Sequence, residues 1–335
     1  MDLIVEQLES QLQQRIGEYY PELSGEDLNF NFCTLKRAAY STVYFFRAKC
    51  SNTTGIPVGI AVKVYSNHQD WKELSKTQYA ALRTAWPLFK DSQEFGLPRP
   101  LDLFSHMPAL VMEEVLGNSL QKMFHSVYWI SPKHFRAMVN ASWGCGKWLQ
   151  YFHQSTALSS LTLDLEQKQR GAQANLARLE SLGIPRNLLR KMECFLEQKA
   201  HALGSVDLPA ALVHGDFTAD NVLIHGDRVS AVDLWAKDQN AVYHDLATFL
   251  NSLTIIRLTV PVPAWLIRSC SQAFLSGYFG NKNHNRIALD FLRLAGLVSV
   301  ALEILDRRGA EPMAGWWIRH FFGRRFNAML DNPDN

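Results

Sequence analysis

The residues best suited to chemistry lie between Val213 and Trp235. In Val213-His214-Gly215-Asp216-Phe217-Thr218-Ala219-Asp220-Asn221 an Asp is followed five positions later by an Asn. A second Asp closes the short apolar run Ala231-Val232-Asp233-Leu234-Trp235, and Gly226-Asp227 reads as the turn between the two segments. One carboxylate able to take a proton, with an amide and a second carboxylate offering hard oxygens, suits phosphoryl transfer. In that chemistry the protein mainly orients a hydroxyl and holds Mg²⁺ on nucleotide phosphates. Asp216 is therefore the candidate catalytic base, and Asn221 and Asp233 are the candidate metal ligands. Asp220 is a third carboxylate nearby, but Asn221 already holds the ligand position, so Asp220 is assigned to the surface. The plain alternative for the whole stretch is a loop of ordinary turn-forming Asp and Asn.

The order His214, Asp216, Asn221, Asp233 has the spacing of the protein-kinase signature H-R-D, Asn, D-F-G, with Gly215 in place of Arg. Gly215 has no side chain with which to meet a phosphorylated activation loop. His-Gly-Asp-x-x-x-x-Asn, followed by Asp245-Leu246-Ala247, resembles the aminoglycoside phosphotransferase and choline kinase group of small-molecule kinases. The resemblance covers about residues 30–250 and is most specific over 209–247. It implies an α+β, two-lobed protein-kinase-like fold. Residues 1–115 would form an N-lobe with an antiparallel sheet and helices, and 116–335 a mainly helical C-lobe. It also implies ATP and Mg²⁺ as cofactors and a small-molecule hydroxyl as acceptor. Asp245, His214 and His153 are expected to brace the catalytic loop or the core rather than react.

The elements that must position this loop can be read upstream. Leu3, Ile4, Leu8, Leu12 and Ile16 recur near helical spacing, predicting an amphipathic first helix that ends before Pro21. Leu35 to Phe46 reads as strand, loop, strand. In the resembled family that loop covers the phosphates and carries Gly, whereas this chain has Ala38-Ala39 there. Ser41 and Thr42 hydroxyls and backbone N–H groups are the remaining candidates for phosphate contact, and an ordinary hairpin turn is the alternative. Gly59-Ile60-Ala61-Val62-Lys63-Val64-Tyr65 is a buried-strand run interrupted by one cation, which asks for an anion. By its likeness to V-A-I-K, Lys63 is the candidate phosphate ligand. The helix from Asp70 to Phe89 should supply its partner. The resemblance puts Gln78 where Glu is usual, and Glu73 is the only Glu in the helix, so the partner stays open between them. Ala109 to Gly117 reads as a strand leaving through a Gly-bounded exit. By resemblance it is a hinge, with the Glu113 carbonyl and Val115 N–H meeting adenine and Met112 behind it.

Composition limits the alternatives. Among 335 residues the formal net charge is +2, with no Lys/Arg run to follow a nucleic-acid backbone, so nucleic acid is not an expected partner. Five Cys with no C-x-x-C pair favour a reducing, cytoplasmic setting. The N-terminus lacks the pattern of a secretory signal, and the longest apolar stretch, Leu294 to Leu302, is too short to span a bilayer. The segment Trp316 to Phe326 mixes aromatics with Arg. It is read as a terminal helix packing on the C-lobe, with peripheral membrane contact as the alternative. Residues 251–335 carry ten Lys and Arg against six Asp and Glu, which suits a neutral or anionic sugar-like alcohol better than a polyamine. The competing functional class is a non-catalytic nucleotide-binding pseudokinase, supported by Ala38-Ala39, Gln78 and Trp235 and opposed by the joint presence of Lys63, Asp216, Asn221 and Asp233.

Overall fold

A computed structural model describes residues 3–23, 28–38, 40–50, 58–65, 70–104, 107–125, 131–236 and 239–308. The Trp316 to Phe326 segment lies outside the described residues. The chain divides into two compact units. One holds Met1–Gly117 and Ser230–Lys237, and the other holds Asn118–Val229 and Asp238–Asn335.

The first unit contains α1 (Leu3–Tyr19), β1 (Leu28–Arg37), β2 (Ser41–Cys50), β3 (Val58–Tyr65), α2 (Trp71–Phe89), β4 (Phe95–Gly96), β5 (Pro100–Phe104) and β6 (Ala109–Glu113). A five-stranded antiparallel sheet runs β1-β2-β3-β6-β5. Because strand side chains alternate between faces, β3 serves two purposes. Ile60 and Val62 join the apolar cluster that includes Val5, Leu8, Leu12 and Ile16 of α1. Lys63 and Tyr65 instead meet Gln78 of α2. The α1 stripe differs from the expected one: Val5, Leu8, Leu12, Ile16 and Tyr19 are buried, while Leu3 is 75% and Ile4 37% exposed. The buried set steps by three, four, four and three, close to the helical repeat, and so stays on one face. Arg15 and the Tyr19 hydroxyl pin α1 to Asp102 of β5 at 2.5 and 2.6 Å.

The second unit contains β7 (Asn118–Ser119), α3 (Leu120–His125), α4 (Pro132–Ser155), β8 (Leu161–Thr162), α5 (Leu165–Ser181), α6 (Arg186–Leu203), β9 (Asp207–Leu208), β10 (Ala210–Leu212) and β11 (Val222–His225). β12 (Arg228–Ala231) leads the chain into the first unit, and β13 (Gln239–Ala241), α7 (Tyr243–Thr259), α8 (Ala264–Phe279) and α9 (Arg286–Arg308) complete the second. The N-terminus of α4 is set by Ser131, whose hydroxyl accepts from His134 N, with Pro132 in the first helical position. α4 and α8 touch backbone to backbone through two glycines. A Cβ on Gly146 would lie 2.1 Å from Phe274 O, and one on Gly277 would lie 2.2 Å from Trp143 O. The core beside this crossing is aromatic, with Phe217 stacked on Trp148 at 5.3 Å and Phe249 on Phe274 at 4.0 Å. Among the described residues no helix is long and apolar enough to cross a membrane.

Candidate active site

The loop after β10 is placed by strand pairing. β10 pairs antiparallel with β13, Ala210 opposite Ala241 and Leu212 opposite Gln239. β10 leads into His214, and α7, which follows β13, carries Asp245 in its first turn. The Asp245 carboxylate is 1% exposed and accepts from His214 N at 2.6 Å and Gly215 N at 3.0 Å. His153 of α4 meets its Oδ2 through Nε2 at 3.0 Å, and His153 Nδ1 lies 2.9 Å from the Tyr278 hydroxyl of α8. A carboxylate can only accept, so the Nε2 that faces Asp245 carries a proton. Burial pushes the Asp245 pKa upward. The hydrogen bond and charge of His153, with the charge and N–H of His214, pull it down further, and the net value lies below the ordinary carboxylate. Burial raises the Tyr278 phenol.

Further along, the loop alternates inward and outward. Phe217 and Ala219 are buried, while Asp216 and Thr218 are half-buried. Ala219 N donates to Ser252 Oγ of α7 at 3.0 Å, and Ala219 O accepts from Gln121 N at 2.9 Å. With these anchors the Asp216 carboxylate stands on a fixed backbone. Asn221 Nδ2 donates to Asp216 Oδ2 at 2.8 Å and to Asp216 O at 3.0 Å. The structure also explains Gly215. Its φ is 87°, in the left-handed region where a Cβ is strained, so the backbone demands glycine here independently of any regulatory loop. Asp220, expected at the surface, is half-buried and accepts from Ser119 Oγ at 3.2 Å, because its β7 neighbour pairs with β11 beside it.

In the first unit the structure brings Lys63 and Asp233 together at 2.6 Å. Lys63 is 6% exposed. Its helix partner, left open by the sequence, is Gln78, which accepts from Nζ at 3.1 Å. Glu73 points away and pairs with Lys76 at 3.0 Å, both largely exposed. The two positions are five residues apart, about 140° around the helix, so only one can reach the sheet. Asp233 has φ 63°, the only positive φ of a non-glycine among the described residues. A residue held in that region persists only where its surroundings over-determine it, a common property of functional side chains.

Ser41 and Thr42 open β2, opposite Tyr65 and Val64, and Ala38 N donates to Ser41 O at 2.8 Å across the turn. Ala39 lies outside the described residues. Met112 sits opposite Ala61 in β6. Glu113 N and Glu114 N are committed to Arg99 O and Gly59 O, both at 2.9 Å, and Val115 follows half-buried. Thus Asp216 and Asn221 are joined in one unit, and Lys63 and Asp233 in the other.

Each unit offers hard oxygen donors of the kind a divalent cation takes. In one unit the Asn221 amide nitrogen is used on Asp216, which leaves its oxygen as the atom able to take a cation, and in the other Asp233 carries a carboxylate. Among the described residues no three His, Cys, Asp or Glu cluster as a metal cage. Sequence reasoning missed Tyr65, Ser252 and Tyr278. Tyr65 had a usable signal, since it stands two residues from Lys63 and so on the same strand face.

Three solved structures resemble this chain in fold. A choline/ethanolamine kinase family protein from Mesorhizobium loti is 15% identical, with 96% of this chain and 98% of that one covered and a TM-score of 0.54. A macrolide 2'-phosphotransferase from Brachybacterium faecium is also 15% identical, with 98% of each chain covered and a TM-score of 0.52. A choline kinase from Cryptosporidium parvum is 11% identical, with 97% of each covered and a TM-score of 0.56. At these identities the likeness establishes the fold, which is protein-kinase-like and α+β. No curated protein matches the sequence. Residues 73–280 match the phosphotransferase enzyme family, APH. The match runs over more than half of the chain, from the α2 helix through Asp216 to the end of α8, and this chain belongs to that family.

Proposed function

We propose that the protein is an ATP-dependent small-molecule kinase that moves the γ-phosphate onto a hydroxyl, most suitably that of a neutral or anionic sugar-like alcohol. The observation that carries this reading is the Asp216 carboxylate, half-buried, oriented by Asn221 and standing on a backbone pinned by Asp245. Its role is to accept the hydroxyl proton, or to hold the hydroxyl in line, as phosphoryl transfer proceeds. Lys63 donates to the α- and β-phosphates, helped by the Ser41 and Thr42 hydroxyls. The Glu113 carbonyl and Val115 N–H bind the adenine edge, with Met112 behind it. Asn221 and Asp233 hold the cation. Mg²⁺, when bound, neutralises charge on the phosphates. The excess of Lys and Arg over Asp and Glu in residues 251–335 supports the choice of acceptor.

The test is a thermal-shift measurement with Mg²⁺-ATP, followed by a screen of hydroxyl metabolites and glycosides for faster ADP release, with Asp216→Ala as the blank. Mg²⁺-ATP should raise Tm, and Asp233→Ala should remove most of the rise. Loss of Asp216 should lower turnover on the order of 10²–10⁴-fold. A wild-type Tm unmoved by millimolar Mg²⁺-ATP would defeat the reading. Stimulation by cationic amines alone would overturn the acceptor class.

A further inference from the structure

The Gln78 amide lies between a cation and an anion. Its Oε1 accepts from Lys63 Nζ at 3.1 Å and from the Tyr65 hydroxyl, while its Nε2 donates to Asp233 Oδ1. The same Oδ1 takes Lys63 Nζ at 2.6 Å. The assignment of the amide atoms follows from chemistry. An ammonium has no lone pair, so the atom facing Lys63 is the oxygen and the one facing Asp233 is the nitrogen. Two aromatic rings complete the enclosure, with Nζ 5.1 Å from the Tyr65 centroid and 5.3 Å from that of Trp235. Gln78 is 1% exposed, so these bonds form out of water, where leaving one unmade is costly.

A glutamate at this position would receive both donors equally well, but its second oxygen would face the Asp233 carboxylate as a like charge. Lys63 would then pair with the helix, and Asp233 would be pushed off. With the neutral amide, α2 offers Lys63 no carboxylate, since Glu73 pairs with Lys76, and the ion pair falls on Asp233. Gln78 and Trp235, which both depart from the pattern implied by the resemblance, are therefore parts of one enclosure around Lys63.

We propose that Gln78 is a positioning residue that holds Asp233 on Lys63 in the nucleotide-free protein. Nucleotide and cation then bind by exchanging this ion pair for Lys63–phosphate and Asp233–cation contacts. The exchange rests on the kinase reading above; the pairing in the nucleotide-free state does not.

The experiment has two arms. In the first, nucleotide-free wild type, Gln78→Leu, Asp233→Ala and the double variant are melted. Each single change should lower Tm, and the double variant should lose clearly less than the sum of the two, because both break the same bond. Additive losses would overturn the proposal. In the second, calorimetry gives the ratio of ATP affinity with Mg²⁺ to that in EDTA, for wild type, Gln78→Glu and Gln78→Leu. A hydrogen bond to a charged group corresponds to roughly tenfold or more in an equilibrium constant. Freeing Asp233 should raise the ratio by about that factor in Gln78→Glu, and Gln78→Leu, which lacks the amide donor, should raise it in the same direction. A purely structural role for Gln78 would shift Tm in both variants and leave the ratio unchanged, which refutes the proposal. Should wild type bind ATP under neither condition, the kinase reading fails, and the melting arm still decides the pairing.

Discussion

Replacing Asp245 by Ala tests the bracing of the loop that carries His214 and Asp216. The change removes the acceptor for His214 N and Gly215 N, two backbone donors, and for His153 Nε2. A buried donor without a partner costs about 1–3 kcal/mol, and breaking a buried hydrogen-bonded charge cluster from one side costs about 3–5 kcal/mol in all. A loss of about 4 kcal/mol is thus expected, a large part of the roughly 5–15 kcal/mol that holds a folded protein. Urea unfolding followed by circular dichroism should show the midpoint falling by on the order of 1 M or more at unchanged slope. Asp227→Ala, in an exposed turn, is the control and should stay within about 0.5 kcal/mol. The pH dependence follows from the depressed pKa of Asp245. The unfolded carboxyl binds its proton more readily than the folded one, so the contribution is present above the unfolded value near 3.8 and is lost as pH falls through the lower folded value. An Asp245→Ala midpoint equal to that of the control would show that the loop is held by something else.

Two further outcomes are expected. Burial, then the charge of Lys168, lowers the His244 pKa to about 4, against an opposing pull from Asp245. The unfolded chain therefore binds more protons between about 4 and 6.5, and stability should fall as pH drops through that window. His244→Gln should flatten this part of a Tm–pH profile; an unchanged slope would assign it to another group. Gly277→Ala drives a methyl to within 2.2 Å of Trp143 O and 3.1 Å of Trp143 C, so α4 and α8 must separate. A loss of about 1–3 kcal/mol or more should appear in the urea midpoint, and a wild-type midpoint would mean that the crossing is looser than this geometry requires.

The sequence alone pointed to the phosphotransferase family and to the order of its polar residues along the chain. The pattern from His214 to Asp233 was legible because its spacing is local, set by a loop and a short turn. Lys63 was legible because a cation in an apolar strand run is costly unless paired. The helices and strands around them could be read wherever periodicity was strong, as in α2 and β3. Tertiary structure decided what depends on partners far away in sequence. Gln78 or Glu73 was a question of which helix face meets β3, and it took the packing of α2 on the sheet to choose Gln78. The α1 face moved from Leu3 and Ile4 to Val5 and Tyr19 for the same reason, since periodicity defines a stripe but the opposing sheet defines its centre. Asp220 left the surface once β7 paired with β11. The brace of Asp245, His153 and Tyr278 joins α7, α4 and α8 over 92 and 125 residues of chain. Asp245 and His153 were expected as braces from the sequence, but their mutual contact and the Tyr278 partner were not, because a buried polar group is recognised only by the partner that satisfies it.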